Sequence, residues 1–137
     1  MAKHPGSAPL AIADLRRVAR ERLRDAKALL KSKRYDGGVY LCGYALEIAL
    51  KARICKTLKW TSFPTDKGKY RSFFVHDLDL LLNLSGRETT VKSKCFSEWN
   101  IACTWDPEVR YTAVGNADES DLSLMIEAVE TLVAQLR

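Results

Sequence analysis

Apolar residues recur along this chain at helical spacing, and no segment alternates convincingly with the period of two that marks a strand. Leu15, Ala19, Leu23, Ala26 and Leu30 share one arc of a helical wheel, widened by Val18 and Leu29, which predicts a helix from about Ile12 to Lys33. Tyr35-Asp36-Gly37-Gly38 reads as a break. A second helix follows from about Val39 to Leu58, and its first half, VYLCGYALEIAL, is apolar around nearly the whole circumference with Glu47 as its one charge. A helix of that kind is central and covered on several sides. The few other helices look insufficient to cover it, so the pattern predicts a second copy of the chain against it.

Trp60 to Val75 reads as a long loop. His76-Asp77 then opens a short helix, Leu78 to Leu84, stopped by Gly86. Arg87 to Ser93 reads as a loop, and a fourth helical stretch spans about Lys94 to Thr104 before Trp105-Asp106-Pro107 interrupts it. After a linker, Leu122, Met125, Ile126, Val129, Leu132, Val133 and Leu136 form the stripe of a last helix, Ser120 to Leu136. The expected fold is all-α, an up-and-down bundle of four to five helices with antiparallel neighbours. Residues 1–11 are expected to be a flexible leader and residues 12–137 a single helical domain.

Composition changes this picture little. Of 137 residues, 47% are hydrophobic and 28% charged, an ordinary globular balance that excludes a disordered or fibrous chain. No run approaches the ~18 apolar residues of a membrane span, and no apolar segment follows Lys3 and His4 as in a secretory signal. A cytoplasmic location and no membrane partner are therefore expected. The four cysteines, Cys42, Cys55, Cys95 and Cys103, show no C-x-x-C spacing and no histidine nearby. Free thiols, no metal and no cofactor are the corresponding expectations.

Charge is more informative. The net charge is +5, but residues 1–71 carry 17 basic and 6 acidic side chains, whereas residues 72–137 carry 5 and 11. On the first helix Arg16, Arg20, Arg24, Lys27 and Lys31 form a basic flank beside the apolar stripe. A phosphate backbone could track that flank, which makes these five the candidate nucleic-acid contacts. The alternative is that the flank pairs with the acidic C-terminal half.

Several pieces in order resemble the HEPN family of small helical-bundle proteins. They are Ala28-Leu29-Leu30 ahead of Arg34-Tyr35-Asp36, the run from Gly43 to Ala52, His76-Asp77-Leu78 with Leu81-Leu82, and Arg110-Tyr111 before a final amphipathic helix. The resemblance implies a four- or five-helix bundle and a homodimer whose seam lies beside a polar site. It also implies nucleotide or RNA binding, within toxin–antitoxin or defence systems and beside a small nucleotidyltransferase partner. The family's ribonuclease branch carries Arg, four to six residues, then His. Here Arg110 is followed by Tyr-Thr-Ala-Val-Gly-Asn-Ala, and His4 and His76 are the only histidines.

The candidate ligand-binding residues are Glu47, Lys51, His76, Arg110 and Tyr111. A lone carboxylate on an apolar helix needs a partner, and Lys51, one turn on, is the nearest. Arg110 is suited to clamping phosphate or to a salt bridge with Glu47. His76 caps a helix or, with Glu47 or Arg110 nearby, serves as a base. Trp60, Trp99 and Trp105 either stack bases or fill the core. The leading expectation is a nucleotide- or RNA-binding homodimer. The alternatives are a ribonuclease with a displaced site built from His76, Arg110 and Glu47, and an antitoxin-like or structural subunit that binds only protein.

Overall fold

A computed structural model describes residues 10–137, with the backbone alone at Arg110. The expected leader falls mostly outside the described residues. Its last two positions are held: the Leu10 carbonyl accepts from the Phe63 amide at 2.9 Å, and Ala11 forms an isolated bridge with Ser62.

Six α-helices follow, with no multi-residue strand among the described residues: α1 (Ile12–Lys31), α2 (Tyr35–Thr57), α3 (Leu78–Ser85), α4 (Glu88–Lys94), α5 (Phe96–Ala102) and α6 (Glu119–Gln135). Short 3-10 turns cover Arg71–Phe73 and Pro107–Tyr111. The all-α expectation holds. Two boundaries differ from it. The Tyr35–Gly38 segment is the first turn of α2, because the chain reverses earlier, at Lys33, which takes a left-handed φ of 60° while the Arg34 amide bonds back to the Leu29 carbonyl. Residues expected to form a loop after Arg87 make the extra helix α4, whose Val91 is buried in the core.

The direction of each limb follows from its contacts. Gly38, near the start of α2, leaves no room for a Cβ against Leu122, near the start of α6. Arg53, near the end of α2, bonds to Arg137 just past α6. These two helices therefore run the same way, while α1 and the α4–α5 limb run against them. The buried stripe of α1 is Leu15, Ala19, Leu23 and Ala26, as its spacing requires. On α2 every residue from Ala45 to Leu50 is buried. One chain thus covers the middle of α2 by itself, while Val39, Tyr40, Leu41 and Tyr44 in its first half remain half-buried.

Caps fix the short elements. The Asp77 carboxylate accepts from the Leu80 amide at 3.2 Å, and Gly86 ends α3 with a φ of 75°, a conformation that suits glycine. Asp118 and Asp121 form a reciprocal capping box at the start of α6. Asp36 clamps the linker before α6: its two carboxylate oxygens accept from the Gly115 and Ala117 amides at 2.7 and 2.8 Å. Those bonds hold its carboxyl below the usual value of 3.8.

Candidate functional site

Glu47 is the buried charge around which the site is built. Its side chain is only 4% exposed, and each carboxylate oxygen has a cationic or potentially cationic partner. Lys51 Nζ donates to Oε2 at 3.3 Å from one turn farther along α2, as the spacing predicts. His76 Nδ1 lies 2.7 Å from Oε1. The Lys51 ammonium also stands 5.5 Å from the centre of the Phe63 ring, which anchors the loop after α2 to the same cluster.

The His76 contact has a defined polarity. An ionised carboxylate only accepts, so Nδ1 carries the hydrogen. That leaves Nε2 as the ring's outward nitrogen, on a side chain 59% exposed to solvent. His76 is held in place from the other side too, since it immediately precedes Asp77, the N-cap of α3. The result is an oriented imidazole with one nitrogen fixed by a buried carboxylate and the other presented outward. Such a nitrogen can take up a proton and, once protonated, donate to a phosphate oxygen.

A recess of about 550 Å³ opens beside His76, walled by Asp77, Cys103, Thr104, Trp105 and Asp106. Trp105 sets that wall. Its ring lies flat on Gly43, one turn before Glu47, where an added Cβ would meet ring atoms at 2.1 Å. Only glycine fits beneath it. Tyr40 stands 6.2 Å from Trp105 and from Tyr44, ring centre to ring centre. Burial, then the charge of Glu47, push the Tyr44 phenol above its usual value, so it remains a hydrogen-bond donor. Trp105 and Thr104 also line a second, more apolar groove of about 560 Å³ between α5 and α6, with Ile101, Leu124 and Met125.

Burial disfavours the thiolate at all four cysteines. Burial pushes Cys42 up to about 12 and Cys55 up to about 11, and Cys103, at the recess, is also raised by burial and by Asp79. Among the described residues no cluster of His, Cys, Asp and Glu could hold a metal ion, and no helix is long and apolar enough to cross a membrane.

Of the candidate ligand residues, Glu47, Lys51 and His76 are therefore brought together. Tyr111 is exposed on the 3-10 turn that follows Trp105. The side chain of Arg110 lies outside the described residues. Trp99 and Trp105 are buried in the core, and Trp60 packs edge-on against Tyr70 and Phe73. The basic flank of α1 is divided. Arg24 pairs with Glu21 at 3.4 Å, and Lys27 with Glu130 of α6 at 3.0 Å, the pairing with the acidic half that was the alternative. Arg16 and Arg20 instead line a cavity at the other end of the helix, and Lys31 is exposed in its last turn.

Sequence patterning did not single out Tyr44, Trp105 as the wall of the recess, or Asp36 as a clamp. The one available signal was Gly43, a glycine inside a strongly helical run, which marks a close approach by another group.

The model of the HEPN domain matches residues 12–65, which takes in α1, α2 and the start of the following loop. His76 and Arg110-Tyr111 lie beyond the matched segment. No curated protein and no solved structure shows a significant match. Over α1 and α2 the chain thus carries a HEPN domain match, and the all-α bundle built around those helices is HEPN-like.

Proposed function

We propose that this HEPN-like protein binds nucleotide or RNA at the His76 recess, with His76 in its protonated form donating from Nε2 to a phosphate oxygen. The observation that carries this reading is the 2.7 Å bond between His76 Nδ1 and buried Glu47. A histidine serving only as a surface residue needs no buried carboxylate to orient it, and Glu47 already has Lys51 as a counter-charge. The recess offers Trp105 and Asp106 alongside, an aromatic and a hydrogen-bond acceptor suited to a nucleoside. The test is binding of a short single-stranded RNA and of mononucleotides by wild type and His76→Ala. Loss of affinity with an unchanged melting temperature supports the reading. Equal affinity in the two proteins overturns it.

A ribonuclease with a displaced site is the second reading, and the same bond favours it. With Glu47 fixing the tautomer, Nε2 would take the proton of a ribose 2′-hydroxyl as that oxygen attacks the adjacent phosphorus, and the 5′-oxygen would leave with a proton taken from solvent. Arg110 would be the phosphate clamp of such a site. Incubation with total RNA, with and without metal, separates the two readings. Cleavage that disappears in His76→Ala selects the enzyme, and binding without cleavage selects the binding protein. Binding of a partner protein alone, with no RNA contact, would instead select the antitoxin-like or structural role.

The proposed functional unit is a homodimer in a toxin–antitoxin or defence context, beside a small nucleotidyltransferase. The proposed seam uses the apolar side chains left exposed on α5 and α6, namely Phe96, Ile101 and Leu124. Sedimentation of wild type and Phe96→Glu tests it: a dimer that dissociates in the variant supports this seam, and a wild-type monomer at tens of micromolar, roughly where weak dimers associate, rejects it.

A further inference from the structure

At the far end of α2 the chain gathers arginines without gathering side-chain carboxylates. Arg16 and Arg20 of α1 and Arg137 after α6 line a cavity of about 440 Å³, floored by Ala19 and Ala49. Arg53 stands one turn beyond Ala49 on α2, and Arg87 approaches from the start of α4. The two converge on the end of α6: Arg53 Nη1 donates to the Arg137 carbonyl oxygen at 2.7 Å, and Arg87 Nη2 to the Gln135 carbonyl oxygen at 3.2 Å. Among the described residues no side-chain carboxylate forms a salt bridge with any of the five.

Capping the carbonyls of α6 accounts for part of this arrangement, since cations suit a helix C-terminus. It does not account for the rest. Arg16 Nη2 and Arg87 Nε are buried N–H donors with no partner. A buried charged donor left unpaired is costly, and a fold that only needed to cap one helix would not place guanidiniums close enough to disfavour one another's charge. Arg53 shows that closeness: after burial, the neighbouring charges of Arg87 and Arg16 hold its guanidinium below the ordinary value. Small alanine side chains keep the space between the charges open.

We propose that this cavity is a seat for a phosphoryl anion, a site separate from the His76 recess. Arginine forks from different elements match the several outward oxygens of a tetrahedral phosphoryl group, whereas a lone carboxylate satisfies a single fork. The cavity exceeds the size of one phosphate, so a diphosphate is the fitting occupant. That group arrives either as inorganic pyrophosphate or as the diphosphate of a nucleotide.

Isothermal titration of the full chain with pyrophosphate and, separately, with adenosine 5′-diphosphate tests the proposal and tells the two sources apart. Saturable one-to-one binding of either is expected, with pyrophosphate binding as tightly or tighter assigning the seat to the inorganic anion and tighter adenosine 5′-diphosphate binding assigning it to a nucleotide. Arg16→Gln should weaken binding by about tenfold or more, the usual consequence of losing a charge-assisted bond. Arg20→Gln, on an exposed side chain, should weaken it with the fold intact and serves if Arg16→Gln does not fold. Lys94→Gln, which removes the same charge from α4 outside the cavity, should bind like wild type. No binding of either probe, or affinity that falls as much in Lys94→Gln as in Arg20→Gln, would overturn the proposal.

Discussion

Two polar clusters sit on α2 less than two turns apart and treat buried charge in opposite ways. Around Glu47 a single buried carboxylate is matched oxygen for oxygen by Lys51 and His76. Around Arg53 several guanidiniums approach one another, with main-chain oxygens of Gln135 and Arg137 and the Thr57 hydroxyl as acceptors and no side-chain carboxylate. A matched cluster holds its shape without help and can orient a working side chain, here His76. An unmatched one is finished only when something negative arrives. The difference separates a site built for positioning from a site built for filling, and each half of it can be broken separately.

The largest effect is expected at the matched cluster. Lys51→Met leaves Glu47 buried with half its compensation and should destabilise the chain by about 3 kcal/mol, read from urea denaturation. Replacing both partners, Glu47→Leu with Lys51→Met, should recover much of that loss while releasing His76. A single variant as stable as wild type would mean that the pair is not compensating a buried charge.

Next is the wall between the matched cluster and the recess. Gly43→Ala drives a methyl into Trp105, with no flexible side chain to yield, and should cost about 1–3 kcal/mol. A melting temperature equal to wild type would show that Trp105 is not seated on α2. Asp36 offers a third way to satisfy a carboxylate, with backbone amides alone. Its native pKa is lowered, so its contribution is present above the unfolded value near 3.8 and is lost as pH falls through the lower native value. Asp36→Asn should therefore melt below wild type at pH 7, with the gap closing toward pH 3. A gap that persists at pH 3 would assign the effect to something other than charge.

The smallest effect has the opposite sign. Arg20→Gln, at the unmatched cluster, removes repulsion and should leave unliganded stability unchanged or raise it by up to ~0.5 kcal/mol at low salt. A clear destabilisation would show that Arg20 has a structural partner, and the contrast between the clusters would fail on that side.

Much of the fold was legible in periodicity. The stripes of α1 and α6, the buried middle of α2 and the capped α3 follow from residue spacing, as does the Glu47–Lys51 pair. What stayed hidden depends on contacts between distant segments. Nothing in the local pattern places His76 against Glu47, 29 residues away. Nor does it show that Asp36 reaches across to Gly115, 79 residues on. The start of α2 was hidden for another reason: glycines 37 and 38 read as a break, yet Gly38 is small because Leu122 occupies the space a side chain would fill. Much of α2 is covered by α1, α3 and α6 of the same chain, while Val39, Tyr40, Leu41 and Tyr44 stay half-buried, a division that periodicity does not show. Arg53 and Arg87 carry no periodic signature, and only folding brings them to Arg16.

The central claim is that the outward nitrogen of His76, held by Glu47, meets the ligand's phosphate. Its most direct test is an NMR titration of the imidazole signals of His76 with a short single-stranded RNA, in wild type and in Glu47→Gln. The account predicts that the His76 Nε2 and Cε1–H signals shift to saturation with the binding curve in wild type, and that the shift is reduced in the variant. RNA that binds while the His76 signals stay in place would contradict it.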